Sequence, residues 1–576
     1  MPSDSGNAIL SRDSASAFQD AAVVPNHDGD ALSRSQQTAE KGGAGSSETS
    51  VRDSNSLDMT YLRGIRFWAS SALLAIMFFL VSMEISVVTT ALVAIAEDLG
   101  GFESVSWVLS SYLLGYVSVV VIFSKFSDVF GRKQVLVSCI AIFIIFSGAC
   151  GAAQSITQLI ILRAFQGIGG GGCFSMNMIF MIEMVPPETY GKYVANMSIP
   201  AALALGLGPI IGGAISYNTT WRWVFLINVP IGALALVLAL FAIPNRFPFH
   251  KRPVRDTSHR GSLHLKGALG RLDIPGSVLL LLATLSLTAG FEEAGSRFPW
   301  KSAYVISLLC ISGVLWGGLV WWERRVSIHN GPREPVLPWQ FLTHRVLVGI
   351  LLGSVFLGGP MTATVFSLPQ RFQLVHGLSS VDAGLRLAPF GVSVPVGSII
   401  GTNVSGKLKV APIFVALGGS LCQVAGFALL GTLPSSTQFP AGAYGYEVLA
   451  GIGCGATYQC LYLLIPFVTS TRDRAVGMGA VTQARFLGAA FVVALMTSVL
   501  NGFVLPALVD LGVSSPQVAL DEARFGSSPI TVEDRDRMRV ILSEGYNRQL
   551  LVICASSVAQ ALAVLLVWKK HQVTLP

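Results

Sequence analysis

Residues 105–153 read VSWVLSSYLLGYVSVVVIFSKFSDVFGRKQVLVSCIAIFIIFSGACGAA. Two apolar runs, 105–124 and 134–153, flank a charged turn, Ser127-Asp128-Val129-Phe130-Gly131-Arg132-Lys133. Each run is about 20 residues long, enough to cross a bilayer as a helix. The turn holds a glycine, an acid and two bases. A carboxylate at the end of one helix can cap or pair with its neighbour, and the Arg and Lys can pair with acids or lipid phosphates.

The same pattern of apolar runs extends along most of the chain. Spans are expected at roughly 67–91, 105–124, 134–153, 156–180, 193–216, 222–242, 274–292, 303–322, 346–367, 380–402, 411–432, 444–467, 476–501 and 549–568. Composition agrees: 52% of the 576 residues are hydrophobic and 12% charged, against about 25% charged in soluble domains. Mean hydropathy is +0.62. The net charge of +7 does not point to nucleic acid, because the excess Lys and Arg lie between spans, where they orient a membrane protein. All eight cysteines fall in apolar runs with no paired spacing and read as small buried hydrophobes. No metal site and no cofactor is expected.

Residues 1–62, rich in Ser, Ala, Gly and Asp, have too little apolar surface to offset ordering entropy and are expected to be a disordered tail. They lack an apolar signal-peptide core. An even number of spans puts both termini on one side. One set of loops carries Lys125, Arg132, Lys133, Lys192, the basic run from Arg246 to Arg271, Arg324, Arg325, Arg345, Lys407, Lys409, Arg472, Arg474, Lys569 and Lys570. The positive-inside rule makes that set, and both termini, cytoplasmic. The expected organisation is a tail (1–62), a six-span half (63–245), a basic loop with two linking spans and a following loop (246–345), a second six-span half (346–570) and a short cytoplasmic tail (571–576). The last outer loop, about 502–547, is expected to be long.

Several residues stand out within the spans. Span 4 opens Ile161-Leu162-Arg163-Ala164-Phe165-Gln166-Gly167-Ile168-Gly169-Gly170-Gly171-Gly172. Gly167, Gly169 and Gly172 fit GxGxxG, but a dinucleotide loop needs a strand before it and water around it. Inside an apolar span such glycines let helices pack closely. Arg163 within a span is costly and needs a partner. Glu84 in span 1 is the candidate: both lie about seven residues from the outer ends of their spans, roughly 10 Å deep at helical rise. Their pairing can couple to protons or can merely hold helices together. Span 5 carries Ala204-Leu205-Gly206-Leu207-Gly208-Pro209-Ile210-Ile211-Gly212-Gly213, where Pro209 removes a backbone donor and the glycines permit a close crossing. Arg485 lies near mid-membrane in span 13 and needs a partner or water; the sequence does not name one. Glu183, Glu292 and Glu293 sit at span ends and are expected to be solvated. All eight histidines fall in tails, loops or edges. Asn218-Thr219-Thr220 is a glycosylation sequon whose closeness to span 6 disfavours modification.

The turn after span 2 resembles the loop signature of the major facilitator superfamily, G-x-x-x-D-R/K-x-G-R-R/K. Asp128, Gly131, Arg132 and Lys133 match it. Ser124 stands where the first glycine is usual, and Val129 replaces a base. Arg163 matches the arginine of the family's span 4, and Glu84 stands where an Asp is common in span 1. The Gly208-Pro209-x-x-Gly212-Gly213 element resembles the signature of drug:proton antiporters. Trp221-Arg222-Trp223-Val224-Phe225-Leu226-Ile227-Asn228-Val229-Pro230-Ile231-Gly232 resembles the start of span 6 in the fourteen-span form. Pro369, Gln373, Gly377, Ser379, Ala383, Gly384, Pro389 and the Arg485-x-x-Gly488 element follow the same family. The resemblance implies an all-α membrane protein: a major facilitator fold of two six-helix halves plus two extra spans, about fourteen helices in all.

It further implies a proton-coupled antiporter, of the fungal multidrug or toxin type, exporting amphipathic organic compounds such as drugs, toxins or secondary metabolites. Glu84 and Arg163 would couple to protons. Asp128, Gly131, Arg132 and Lys133 would latch one conformation. Gly208, Pro209, Gly212 and Gly213 would form the antiporter motif. The partners implied are a small organic substrate, protons and the bilayer of the cell membrane, or alternatively of a vacuole or vesicle, with the protein acting as a monomer. A proton-coupled importer of a nutrient or siderophore on the same fold is the alternative. A membrane-embedded enzyme would need an HExxH, a Ser/His pair or a diacid cluster within the spans, and the sequence has none.

Overall fold

The computed structural model describes residues 61–100, 107–245, 247–248, 272–294, 298–328, 333–434, 440–470, 473–510, 532–570 and 572. The tail at 1–60 and the basic run at 249–271 therefore lie outside the described residues, as does the C-terminal tail apart from Gln572.

Fourteen long helical elements follow one another: α1 (Ile65–Leu99), α2 (Trp107–Phe130), α3 (Arg132–Gly151), α4 (Ile156–Glu183), α5 (Tyr190–Asn218), α6 (Arg222–Ala242), α7 (Ile274–Glu293), α8 (Ala303–Ile328), α9 (Arg345–Leu374), α10 (Asp382–Gly406), α11 (Pro412–Gly431), α12 (Ala443–Val468), α13 (Arg474–Asp510) and α14 (Val532–Leu565). Among the described residues, thirteen helices are long and apolar enough to cross a membrane; α5, at 29 residues, is of similar length. Extended structure among the described residues is limited to two isolated bridges. A bilayer leaves no water to satisfy backbone groups, and helices satisfy them internally.

Local chemistry sets several boundaries. Ser155 caps α4 by accepting from the Gln158 backbone NH, and Asp273 caps α7 by accepting from Gly276. Gly131 turns the chain between α2 and α3 at φ 99°, a conformation open to glycine. Close helix contacts follow the glycine run of α4. A Cβ at Gly167 would lie 2.1 Å from the Tyr112 carbonyl oxygen, and one at Gly171 2.2 Å from that of Tyr116. The glycines thus seat α4 on α2, as the packing reading expects.

The first half is α1–α6, with α2 on α4, α1 on α5 and α3 on both α4 and α6. The second is α9–α14, with α10 and α11 on α12, α11 on α14, and α9 on α13. The halves meet along two seams, α5 against α10 and α2 against α13. The linking helices α7 and α8 pack on each other, and α7 lies at the α2/α13 seam.

Of the long outer loop expected at about 502–547, the described residues are helical. The α13 helix runs to Asp510 and α14 begins at Val532, leaving 511–531 outside the described residues. The expected spans at 476–501 and 549–568 leave out these helix ends. Beyond those spans Val504, Leu508, Met538, Leu542 and Tyr546 form a cluster of their own with Val375, and Glu544 pairs with Arg548 one turn on.

Candidate functional site

The helix rise that places Glu84 and Arg163 at equal depth brings them together. Glu84 is fully buried and so is Arg163, and the Arg163 guanidinium donates to Glu84 Oε1 through Nη1. Two neutral amides complete the carboxylate's shell. Gln166 Nε2 donates to Oε1 at 3.0 Å and Asn228 Nδ2 to Oε2 at 2.5 Å. Arg163 also donates to the Val108 carbonyl at 3.0 Å and to Gln166 Oε1 at 2.7 Å. Its guanidinium carbon lies 4.3 Å from the centre of the Tyr112 ring. Gln166 reaches Ser147 of α3. Five of the first half's helices thus converge on one carboxylate. Sequence reasoning named the two charges and missed the two amides. Asn228 lies in the Trp221–Gly232 string, and Gln166 is one turn on from Arg163.

The charged turn forms a second cluster. Arg132 Nη1 lies 2.6 Å from Asp128 Oδ1, and Arg132 Nη2 2.7 Å from Glu183 Oε1 at the end of α4. Ser127 Oγ accepts from the same guanidinium. Lys133 donates to the Leu240 carbonyl of α6. These contacts stay inside the first half. The bond reaching past it comes from Lys125: 2% exposed, it donates at 2.8 Å to Glu334, in the segment between α8 and α9.

Glu183 is therefore ion-paired rather than solvated. Glu293 is also buried, and Glu292 accepts from Ser110 of α2 at 2.6 Å. The expectation that these three acids are solvated is corrected: α7 packs against α2, and Arg132 reaches across to α4.

At the Asp128 end the halves touch along both seams. Thr402 of α10 and Gln459 of α12 both donate to the Gly191 carbonyl of α5, at 3.3 and 3.2 Å. On the other side a Cβ at Gly479 of α13 would lie 2.2 Å from Ser124 Oγ of α2. Gln483 of α13 bridges α2 and α7, accepting from the Val121 NH at 3.3 Å and donating to Thr284 at 2.9 Å.

The Gly208–Gly213 element faces α1. A Cβ at Gly208 would lie 1.9 Å from Ser86 Oγ, and one at Gly212 2.5 Å from the Val87 carbonyl oxygen, whereas Gly213 faces open space. Pro209 lies within α5. Asn218, the last residue of α5, is exposed, and its side chain donates to the Ala214 carbonyl.

Midway along the bundle, rings from both halves meet. Tyr116 stacks edge-on against Phe486 at 5.0 Å, and Phe174 lies 5.7 Å from Phe486 and 5.1 Å from Phe78. Tyr458 and Tyr462 lie 4.5 Å apart, and Tyr458 donates to Met178 Sδ of the other half. Arg485 sits here. Its guanidinium carbon is 4.1 Å from the Phe486 ring centre and 5.8 Å from that of Tyr458. Tyr112 lies 5.9 Å from Tyr116, so three rings, Tyr112, Tyr116 and Phe486, run between Arg163 and Arg485.

Glu447 of α12 was missed. It is fully buried, and neither carboxyl oxygen has a hydrogen-bond partner. The signal was present: an acid four residues inside an expected span, subject to the same rule that flagged Arg163 and Arg485. All eight cysteines are free.

Comparison with known proteins agrees with this architecture. The family model described as "Major Facilitator Superfamily" matches residues 74–493. The MFS-type transporter FPY5 of Fusarium mangiferae is 37% identical over 522 residues, covering 90% of this chain and 86% of that protein. The efflux pump FUS6 of Gibberella fujikuroi is 30% identical, covering 79% of each. Among solved structures, the proton:xylose symporter XylE overlays with a TM-score of 0.53 at 15% identity, covering 86% of this chain and 94% of that one, a likeness of fold alone. The chain belongs to the Major Facilitator Superfamily and is a multi-pass membrane transporter.

Proposed function

We propose that the protein is a proton-coupled efflux transporter for amphipathic organic compounds. The observation that carries the reading is the Glu84–Arg163 pair, a titratable carboxylate held inside an apolar bundle by one guanidinium and two amides. Protonation of Glu84 cancels one charge of the pair and leaves Arg163 with neutral neighbours. The packing of five helices around that carboxylate then changes its electrostatic balance. The ring contacts from Tyr112 to Phe486 give this change a route to the seam. Alternating access around a mid-membrane site between the halves follows from the fold class.

Efflux is supported by the relatives: FUS6 carries the description of an efflux pump. The Gly208/Gly212 contact with α1 adds a structural reason, since it ties α5 to the helix that bears Glu84. In this reading the Asp128–Arg132–Glu183 cluster braces the cytoplasmic end of the first half. Lys125 and Glu334 tie that end to the linking segment. Both termini are cytoplasmic, and the monomer resides in the cell membrane or in a vacuolar or vesicular one.

The test is flux in proteoliposomes with an imposed pH gradient, using fluorescent amphipathic anions, neutral compounds and cations in turn. Efflux by exchange predicts that substrate and protons move in opposite directions. Movement in the same direction would establish the importer reading, and flux indifferent to the gradient would remove proton coupling.

A further inference from the structure

Arg485 differs from Arg163 and Arg132 of the first half in lacking an acid. Arg163 has Glu84, and Arg132 has Asp128 and Glu183. Arg485 is 5% exposed, and among the described residues no carboxylate pairs with it. Its Nε has no hydrogen-bond partner, and its Nη1 lies 4.0 Å from the Met361 sulfur. The Tyr462 hydroxyl is beside it, and that hydroxyl also bonds Thr482 at 2.9 Å. Arginine keeps its charge in proteins. Removing that charge from water is costly even after relaxation, and a ring face returns only part of the cost. Around Arg485 the described polar neighbours are hydroxyls, a thioether and ring faces, and none is an acid.

The position of that charge matters. Arg485 is eleven residues into α13, about 16 Å along it at helical rise. The ring against it, Phe486, touches Tyr116 and Phe174 of the other half. The backbone beneath is held tightly. A Cβ at Gly358 would lie 2.0 Å from the Arg485 carbonyl oxygen, and one at Gly488 1.8 Å from that of Val355. Next to this contact α9 makes a π-turn at Gly359–Ala363, a feature frequent at functional sites. The guanidinium is thus presented from a fixed backbone toward the seam, between aromatic faces.

We propose that Arg485 is the docking group for an anionic substrate: an apolar body carrying a carboxylate. The planar guanidinium fork matches a carboxylate with two parallel hydrogen bonds. Phe486, Tyr458, Tyr116 and Phe174 receive the apolar body. This rests on the transport reading above and narrows its substrate class.

The experiment is equilibrium binding to the full-length protein in lipid nanodiscs, read by pyrene fluorescence, with empty nanodiscs subtracted. The probes are pyrenebutyrate, its neutral methyl ester and a pyrenyl alkylammonium. The wild type is expected to bind the anion about tenfold or more tightly than the ester, as a charge-assisted bond would give. Arg485→Gln should erase that preference while leaving ester affinity in place, and Arg485→Lys should keep part of it. Equal binding of anion and ester by the wild type, which needs no variant to fold, would overturn the proposal. So would an undiminished preference in Arg485→Gln, or displacement of all three probes by chloride alike. No pH gradient is applied, so loss of proton coupling or reversal of direction in the flux assay leaves this result untouched.

Discussion

In the first half, Glu84 is surrounded by a guanidinium and two amides, and Arg163 by that carboxylate, a backbone carbonyl and a ring face. In the second half, Arg485 rests between rings, and Glu447 has both oxygens buried with no hydrogen-bond partner, beside Ala443, Ala450 and Cys454 of its own helix. Both halves are apolar bundles of six helices. They differ in where the compensation for a buried charge comes from. The first half contains it. In the second, Arg485 and Glu447 have no oppositely charged partner among the described residues. Within the first-half network Arg163 Nη2 and Asn228 Oδ1 still lack hydrogen-bond partners, so the contrast between the halves lies in the pairing of charge and not in complete hydrogen bonding. Under the proposed function, the first half would be the element that titrates and the second the element that recognises.

The largest expected effect tests the titrating half. Glu84→Gln should leave a folded protein that still binds ligand but no longer accumulates it against a gradient. Accumulation driven by a pH gradient in that variant would move the coupling group elsewhere. Next in size is stability. Arg163→Ala should cost ~3–5 kcal/mol, because it strands a buried carboxylate. The double change with Glu84→Gln should cost less than Arg163→Ala alone. Unfolding in detergent, arranged as a double-mutant cycle, measures the coupling; a coupling of zero would mean the two groups act independently.

The contrast between halves is sharpened by one substitution made twice. Glu447→Leu removes an unpartnered buried polar group and should stabilise by about 1–3 kcal/mol. Glu84→Leu, which strands Arg163, should destabilise. The same thermal unfolding assay reads both, and shifts of equal sign would erase the distinction. The smallest effect is expected at the charged turn. Asp128→Ala removes one of two acids from Arg132 and leaves Glu183 in place. It should slow turnover severalfold, about 1 kcal/mol in the barrier, without changing ligand affinity. Unchanged turnover would reduce the cluster to a topological signal.

Much of this architecture is legible from the chain. Apolar runs are the length of a bilayer crossing, and that physical match fixed the number and order of the helices. The depth of Glu84 and Arg163 follows from a constant rise per residue, so their meeting could be anticipated. Their amide partners could not, because Gln166 and Asn228 carry no charge and an apolar span conceals them. The surroundings of Arg485 were out of reach for another reason. They come from α2, α4, α9 and α12, and no local period encodes which ring of one helix faces which residue of another. The ends of α13 and α14 escaped because hydropathy marks where the bilayer ends, while the helix continues as long as neighbouring side chains cover it.

Ser124 occupies the place where the loop signature has glycine, yet α2 still approaches α13 closely there. The glycine is on the facing helix, at Gly479. The width of the gap at that point depends on the sum of two side chains, so a small residue is interchangeable between the two sides. Exchanging them, Ser124→Gly with Gly479→Ser, keeps the sum, whereas Gly479→Ser alone adds a hydroxymethyl group to a contact that has no room for it. The depth to which the halves can close is therefore a shared property of a residue pair, and the motif on one helix is only half of its own description.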